Sequence, residues 1–395
     1  MTTGLKVNDE FGSFRIQLVP ILFLVGIGFM NVLSRVIFSP LLLTIEADLH
    51  LSHTQASSFF MLISAGFSLA MFLSGFLSSK LTHRLVIVLS AVLCGASLII
   101  VSFSLSLLGI RISLFLLGMG AGLYLPSGIA TVNSLVVPRD LGKAMASHEL
   151  GPTIAFAAGP IFIGLLLKYS SWRTILILIG LMNLLMAFLF VFFGRGGDFA
   201  GLKPNLKNLK PILTHPNFWI MAALFAIAVG WEQGVYALLP TYLVSEKGLE
   251  YASANTIFGL SRISVIFTTV ISGFIVDRFG IKKSLFVIVI GSGILTALLG
   301  LTSGVSLLIV VFLQPVMVTC FFPAGLVALS RIGSKQFTNF IVAMIIPISF
   351  VFGAGVVPSL LGILGENGSF AIGFNFLGTL VLLSTVLLLF LKLGR

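Results

Sequence analysis

Uncharged, apolar stretches of about 20 to 28 residues recur along the whole chain, each long enough to cross a hydrocarbon layer of about 30 Å as a helix rising about 1.5 Å per residue. Broken at glycines, prolines and charges, they predict spans near 17–44, 54–78, 84–104, 107–134, 144–167 and 172–194. After a polar interruption come six more, near 218–244, 252–275, 284–303, 305–330, 337–363 and 370–391. Buried helices of soluble domains rarely run so long. The pattern predicts an all-α membrane protein with twelve transmembrane helices.

The interruption, Gly194 to Pro216, reads GRGGDFAGLKPNLKNLKPILTHP. It divides the chain into a six-helix bundle over 1–194, a linker over 195–217 and a second bundle over 218–395. Its lysines alternate with Leu202, Leu206 and Leu209, a spacing that suits either a short helix lying on anionic lipid or a flexible tether. The segments on the side of the two chain ends carry 17 of the lysines and arginines, from Lys6 to Arg395, whereas the opposite side carries Lys168, Arg173 and Lys247. By the Lys/Arg bias of short loops, both termini are expected in the cytoplasm. The first span is too long for a signal-peptide core and has no small-residue cleavage site after it, so it is expected to remain as a helix.

Composition agrees with lipid as the solvent: 58% of residues are hydrophobic and 9% charged, with a mean hydropathy of +1.16. The net charge of +11 would suggest nucleic acid in a soluble chain. Here the basic residues sit in alternate loops, so a membrane-lipid partner is expected and a nucleic-acid partner is not. Cys94 and Cys320 lie inside apolar spans and offer neither a disulfide nor a metal motif. No P-loop, dinucleotide-binding glycine pattern or HExxH occurs, so no cofactor is expected and neither is an enzyme. His50 and His53 flank LHLSH, where solvated loop histidines are the commoner reading than a metal site. Asn367-Gly368-Ser369 fits a glycosylation sequon in a very short loop. The brief loops favour a bacterial inner-membrane protein, and a monomer is expected.

The halves repeat. GFIVDRFGIKK, Gly273 to Lys283, stands about 198 residues after GFLSSKLTHR, Gly75 to Arg84, and Pro126 in LYLPSG is matched by Pro323 in CFFPAG. On these motifs the chain resembles the major facilitator superfamily, whose hinge after the second helix of each half reads G-x-L-a-D-r-x-G-r-r. Gly273, Asp277, Arg278, Gly280, Lys282 and Lys283 match it. In the first half Gly75, Leu77 and Arg84 match, while Ser79 stands where the acid belongs and Thr82 where the glycine belongs, which implies a weaker cytoplasmic latch. GPTIAFAAGPIFIG, Gly151 to Gly164, is similar to the family's G-x-x-x-G-P-x-x-G pattern. There Gly159, Pro160 and Gly164 allow close helix approach and a local bend. Gly118, Gly120 and Gly122 fit the fourth-helix phrase, but Leu114 fills its arginine slot; Arg111, near the span's end, is expected to snorkel. The resemblance implies two parallel bundles rocking around a central site lined by the first and seventh helices.

Ions inside the membrane cost roughly 2.5 to 3.5 kcal/mol each near the centre and usually face a cavity. Arg35 in the first span, Glu232 in the seventh and Arg262 in the eighth are the candidates. Arg35 and Glu232 are expected to be partners across the cavity. Arg35 and Arg262 are expected to bind an anionic small molecule, with Glu232 as the proton-responsive group and Asn31, Gln233 and Tyr236 as neutral hydrogen-bonding partners. Tyr124, Gln314 and Phe322 are cavity lining or packing. His148 and Glu149 in SHELGP are either a proton relay or a contact with hinge cations such as Arg84 or Arg139.

These residues suit a secondary transporter working by alternating access, coupled to protons and moving a small organic anion. Within the superfamily the basic site is similar to that of organic-anion and monocarboxylate carriers. Two alternatives stay open: an exporter of amphipathic or drug-like compounds, with the ions forming a structural gate, and a transport-inactive sensor or assembly partner.

Overall fold

The computed structural model describes residues 14–201, 203, 213–331 and 335–392, with only the backbone described at 14–16, 266–267, 269–277 and 335–340. The first half runs α1 (Phe14–Val36), α2 (Phe38–Leu49), α3 (His53–Lys80), α4 (His83–Phe103), α5 (Leu107–Leu135), α6 (Leu141–Leu166) and α7 (Trp172–Phe193). The second runs α8 (Pro216–Val229), α9 (Val235–Ser245), α10 (Tyr251–Phe279), α11 (Ile281–Leu301), α12 (Gly304–Thr319), α13 (Phe321–Leu329), α14 (Lys335–Ser349), α15 (Val357–Glu366) and α16 (Phe370–Phe390). Eleven stretches among the described residues are long and apolar enough to span a membrane, α1–α2, α8–α9, α12–α13 and α14–α15 each joining into one. The 29-residue α10 occupies the eighth position. The fold is all-helical and twelve-spanning, as the apolar pattern requires.

Serine and threonine caps start many of the spans. Ser52 forms a capping box with Gln55, and Thr82, Ser106 and Ser171 each accept the amide three residues on. Large apolar side chains such as Phe188, Phe192, Leu383 and Leu389 point outward at 56–65% exposure, as lipid contact demands. Where helices meet, glycine sets the spacing. A Cβ on Gly118 would sit 2.1 Å from the Ile63 carbonyl oxygen and one on Gly122 2.2 Å from that of Phe67, so α5 lies on α3 backbone to backbone. Gly164 of the fifth span makes the expected close approach: its Cβ would meet Asn255 of α10 at 3.1 Å.

The two segments that carry the hinge motif make the same contact in both halves. Arg84 donates to the carbonyls of Phe190, Val191 and Gly194 at 3.0–3.2 Å, closing the end of α7. Lys282, at the repeat offset, donates to Leu389 and Leu391 at 3.2 and 3.1 Å, closing the end of α16. Helix C-termini leave such carbonyls without intrahelical partners, and a cation there satisfies both hydrogen bonding and the dipole. Gly280 caps α11 at φ +81°, a conformation that calls for glycine. Gly75 lies within α3; Gly273 and Asp277 fall where only the backbone is described, while Arg278 and Lys283 are exposed.

The linker's Asp198 takes the place of the missing acid, accepting from Arg84 Nη1 at 3.2 Å. Residues 194–201 lie along the hinge as a short antiparallel strap: Arg84 N–H bonds the Gly197 carbonyl at 2.8 Å, His83 N–H that of Phe199 at 3.1 Å, and Gly201 N–H that of Ser78 at 2.8 Å. The proposed surface helix around Leu206 and Leu209 lies outside the described residues.

The halves meet from mid-depth to the face opposite the termini, called here the far face. Ser68 Oγ donates to the Pro347 carbonyl at 2.7 Å, and Phe67 packs on Phe350 with ring centroids 4.7 Å apart. At the far face the Thr54 N–H donates to Glu366 at 3.0 Å, and Gly362 is so close that a Cβ would fall 2.0 Å from Ser57 Oγ. On the other flank Gly259 lies against the Ala157 carbonyl, 2.6 Å from the position of its missing Cβ.

Candidate functional site

The second half's first span is interrupted at mid-depth. Residues Gly230–Gly234, GWEQG, form a π turn between α8 and α9, and a second π segment, Phe350–Val356, stands opposite between α14 and α15. The two pack through glycine: a Cβ on Gly353 would lie 2.6 Å from both the Ala226 carbonyl oxygen and the Gly230 nitrogen. Such insertions re-aim side chains and recur at functional sites. Here the turn carries Glu232 and Gln233.

Arg35, in the last turn of α1, opens onto a small cavity of about 40 Å³ lined also by Phe60, Ser64, Gln233, Tyr236 and Phe350. Its guanidinium carbon stands 4.5 Å from the centroid of Phe67, and its Nε is buried without a hydrogen-bond partner among the described residues. Room for a few water molecules is all this cavity offers. An organic ligand requires the halves to part.

Arg262 of α10 is 5% exposed and stacks on Tyr236 at 4.8 Å and Phe258 at 5.4 Å. Two of its nitrogens, Nε and Nη2, are buried with no hydrogen-bond partner among the described residues. Glu232 lies close enough to act on the charge of Arg262 but makes no hydrogen bond to it among the described residues, and burying guanidinium N–H groups without acceptors is costly, so the site favours a ligand that supplies them. Tyr236 connects the two arginines, lining the Arg35 cavity while carrying Arg262 on its ring. Its hydroxyl donates across the halves to the Phe156 carbonyl at 3.2 Å.

Glu232 is half-buried and accepts from Gln233 Nε2 at 3.4 Å. No ion pair joins it to Arg35 among the described residues, so the expected partnership of these two is not made here; Gln233, not Glu232, faces the Arg35 cavity. Asn31, one turn before Arg35, is committed elsewhere. Its amide donates to the Ala121 carbonyl at 3.2 Å and to Ser90 at 3.4 Å, tying α1 to α5 and α4. Gln314 likewise holds the π turn, donating to the Trp231 carbonyl at 2.8 Å.

Tyr124 does not line the cavity either. It is buried within the first half, where its hydroxyl donates to the Leu24 carbonyl at 2.6 Å and lies 2.9 Å from His148 Nε2. His148 Nδ1 in turn lies 3.3 Å from Glu149 Oε1. The contact of this pair with hinge cations is replaced by Tyr124, since Arg84 turns to Asp198 and Arg139 to Asp140. His53 pairs with Glu46 at 2.9 Å, and no group of metal-ligating side chains occurs among the described residues.

Sequence reasoning missed the aromatic frame of Phe60, Phe67, Phe258 and Phe350, which nothing distinguishes from other phenylalanines in apolar spans. It also missed Phe156, although Pro160 was a usable signal: a proline leaves the carbonyl four residues earlier without its helical donor.

Residues 24–330 match the sequence profile of the Major Facilitator Superfamily. The hexuronate transporter of Bacillus subtilis is 27% identical over 284 residues, covering 66% of this chain and 64% of that protein. The chain thus spans a little under two thirds of that relative's length. The cis,cis-muconate transport protein of Acinetobacter baylyi is 21% identical over 370 residues, 85% of this chain and 84% of that protein. A bacterial homologue of the human lysosomal transporter Spinster, solved in an inward-facing, occupied conformation, superposes with a TM-score of 0.76 at 14% identity over 96% of both chains. Twelve spans, paired hinges at the repeat offset and a profile match over most of the chain lead to one assignment: the chain belongs to the Major Facilitator Superfamily, a family of membrane transporters and not of enzymes.

Proposed function

We propose that this secondary transporter carries a small organic anion, coupled to protons, through the site framed by Arg35, Tyr236 and Arg262. The observation that carries the reading is Arg262, 5% exposed with two unpartnered nitrogens and stacked on the tyrosine that also lines the Arg35 cavity. An incoming carboxylate supplies the acceptors both guanidiniums lack, and the planar fork of arginine suits it bidentately. Glu232 is the counter-charge of this site, and on losing its charge leaves two cations for the anion.

The lining also speaks to the body of the substrate. Phe60, Ile63, Phe350, Val36 and two alanines face the cavity beside only a few neutral hydrogen-bonding groups, Ser64, Gln233 and Tyr236. A polyhydroxylated acid would leave several hydroxyls without partners, each costly in a dry site. A hydrocarbon or unsaturated carboxylate fits better, which favours the chemistry of the muconate relative over that of the hexuronate relative. The Thr54–Glu366 and Ser57–Gly362 contacts close the far face, which the Lys/Arg bias of the loops makes the non-cytoplasmic side, in a protein of the bacterial inner membrane.

A thermal-shift series on the purified protein tests this, because a ligand that binds the folded state raises its melting temperature. Cis,cis-muconate is expected to stabilise the wild type more than glucuronate does, neutral xylose not at all, and Arg262→Ala is expected to lose the muconate shift. Equal shifts with xylose, or an undiminished muconate shift in Arg35→Ala and Arg262→Ala, would rule the reading out.

A further inference from the structure

The first half holds a second polar assembly that the anion site does not use. Gly151 makes it possible: a Cβ there would stand 2.3 Å from the Val25 carbonyl oxygen, so α6 rests directly on α1 and brings His148 beside Leu24. Tyr124 enters from α5, and the chain Leu24 carbonyl, Tyr124 hydroxyl, His148 imidazole, Glu149 carboxyl runs from the packed interior outward. His148 is fully buried, while 56% of the Glu149 side chain is exposed.

Hydrogen-bond directions fix where protons sit. A carbonyl only accepts, so at 2.6 Å the Tyr124 hydrogen belongs to Leu24. The Tyr124 oxygen must then accept from His148, which places a hydrogen on Nε2. That leaves Nδ1 facing Glu149 Oε1. A bare nitrogen against a carboxylate would set two lone pairs against each other, so the 3.3 Å approach fits a further proton shared between them, on the ring or on the carboxyl. Among the described residues the titratable groups facing this imidazole are Tyr124 from α5 and Glu149 from its own helix, and α1 presents the Leu24 carbonyl.

The geometry points to His148 and Glu149 as a one-proton binding site, oriented by Tyr124, that carries a second proton linked to transport, apart from the one that neutralises Glu232. A proton arrives on the exposed Glu149 carboxyl and is shared with Nδ1; its departure leaves a carboxylate against a neutral Nε2–H ring, and the pair separates. Tyr124 passes that change to α1, which bears Arg35 eleven residues on, about 16 Å along the helix. Along α6, Phe156 lies about 12 Å from His148 and accepts the hydroxyl of Tyr236, the ring beneath Arg262. Both helices of the relay therefore end at the anion site. Its linkage to transport rests on the anion-porter reading; its occupancy by a proton does not.

Nitrogen-15 spectra of histidine in the purified protein at pH 7 test the occupancy without any substrate, with His148 identified by substituting the other histidines. The expected result is a protonated Nε2 with a second proton shared at Nδ1, giving way in Glu149→Gln to a neutral Nε2–H ring. A neutral Nδ1–H tautomer, or a spectrum that Glu149→Gln leaves unaltered, would overturn the site. In liposomes, with cis,cis-muconate as the probe, Glu149→Gln and Tyr124→Phe are expected to lose accumulation driven by a pH gradient. Gradient-driven accumulation equal to wild type in both overturns the coupling. Because the spectra need no transported probe, they decide the proton site even where muconate is not carried, which keeps its failure apart from that of the anion reading.

Discussion

The hydroxyl of Tyr236 donates to the carbonyl of Phe156 at 3.2 Å, joining the first span of one half to the fifth span of the other. The acceptor is available because Pro160, four residues on, has no N–H to bond it. Pro240 does the same for the carbonyl of Tyr236 itself, which accepts from Ser39 Oγ at 2.7 Å. Two prolines thus expose two backbone acceptors, and each is taken up by a side chain of the opposite half. One tyrosine is in this way fixed at both ends between α2, α6 and Arg262.

Removing that hydroxyl separates its role from the ring's. Tyr236→Phe keeps the stacking surface for Arg262 and loses a single buried hydrogen bond, at a cost of about 1 kcal/mol. The expected outcome is a small fall in melting temperature, retained anion binding, and a shift of the conformational equilibrium away from the state closed at the far face. Spin-label distances across that face measure it; an unshifted distance distribution would show that the bond does not hold the halves.

Pro160→Ala tests the same contact from the other side. The new N–H competes with Tyr236 for the Phe156 carbonyl, so α6 straightens while the link between halves weakens. A melting temperature equal to or above wild type with slower transport is expected, and faster or unchanged transport would contradict the role given to the freed carbonyl.

Much of this arrangement was readable beforehand, for physical reasons that differ from residue to residue. Spans are legible because lipid admits little but apolar side chains over about 20 residues. The hinge cations Arg84 and Lys282 were legible through their repeat offset, and Arg262 stood out as a charge in a long uncharged stretch. The partner of Arg84 was not: Asp198 lies 114 positions away in a linker, where no periodicity marks it. Nor was the π turn that aims Glu232 and Gln233, since its two flanking glycines resemble many of the 41 in the chain. Asn31 misled because helical spacing gives a shared face with Arg35 but does not say that Ser90 and Ala121 reach it first.

Helix contact through glycine predicts a steep response in the first bundle. In Gly118→Ala the methyl group would begin 2.1 Å from the Ile63 carbonyl oxygen, so α3 and α5 must separate. A loss of about 1 to 3 kcal/mol is expected from such overpacking, read as a lower melting temperature in detergent. The comparison substitution Gly142→Ala, where a Cβ meets nothing within 4 Å, is expected to leave it unchanged.

At the far face, Gly362 lies against Ser57 so closely that its Cβ would be 2.0 Å from the hydroxyl oxygen. Gly362→Leu therefore acts as a wedge between α15 and α3 and is expected to hold the far face open. Cysteines introduced at Ser52 and Asn367 should then move apart and react faster with an aqueous thiol reagent. Unchanged reactivity would mean that the contact is not part of the seal.

The strap on the first hinge makes opposite predictions for its two kinds of contact. Asp198 is exposed and pairs with Arg84 at the surface, where ion pairs contribute about 0 to 1 kcal/mol, so Asp198→Asn should be nearly neutral in stability and sensitive to salt. The backbone pairing is stricter, because Gly197 sits at φ +79° with its missing Cβ 2.9 Å from the Arg84 nitrogen. Gly197→Val must strain that residue and push the strap off Ser78, Thr82 and His83, which also frees Arg84 from its line of α7 carbonyls. Faster proteolysis between residues 194 and 201 is expected for Gly197→Val alone. Equal protection in the two variants would mean that the strap is held by charge and not by its main chain.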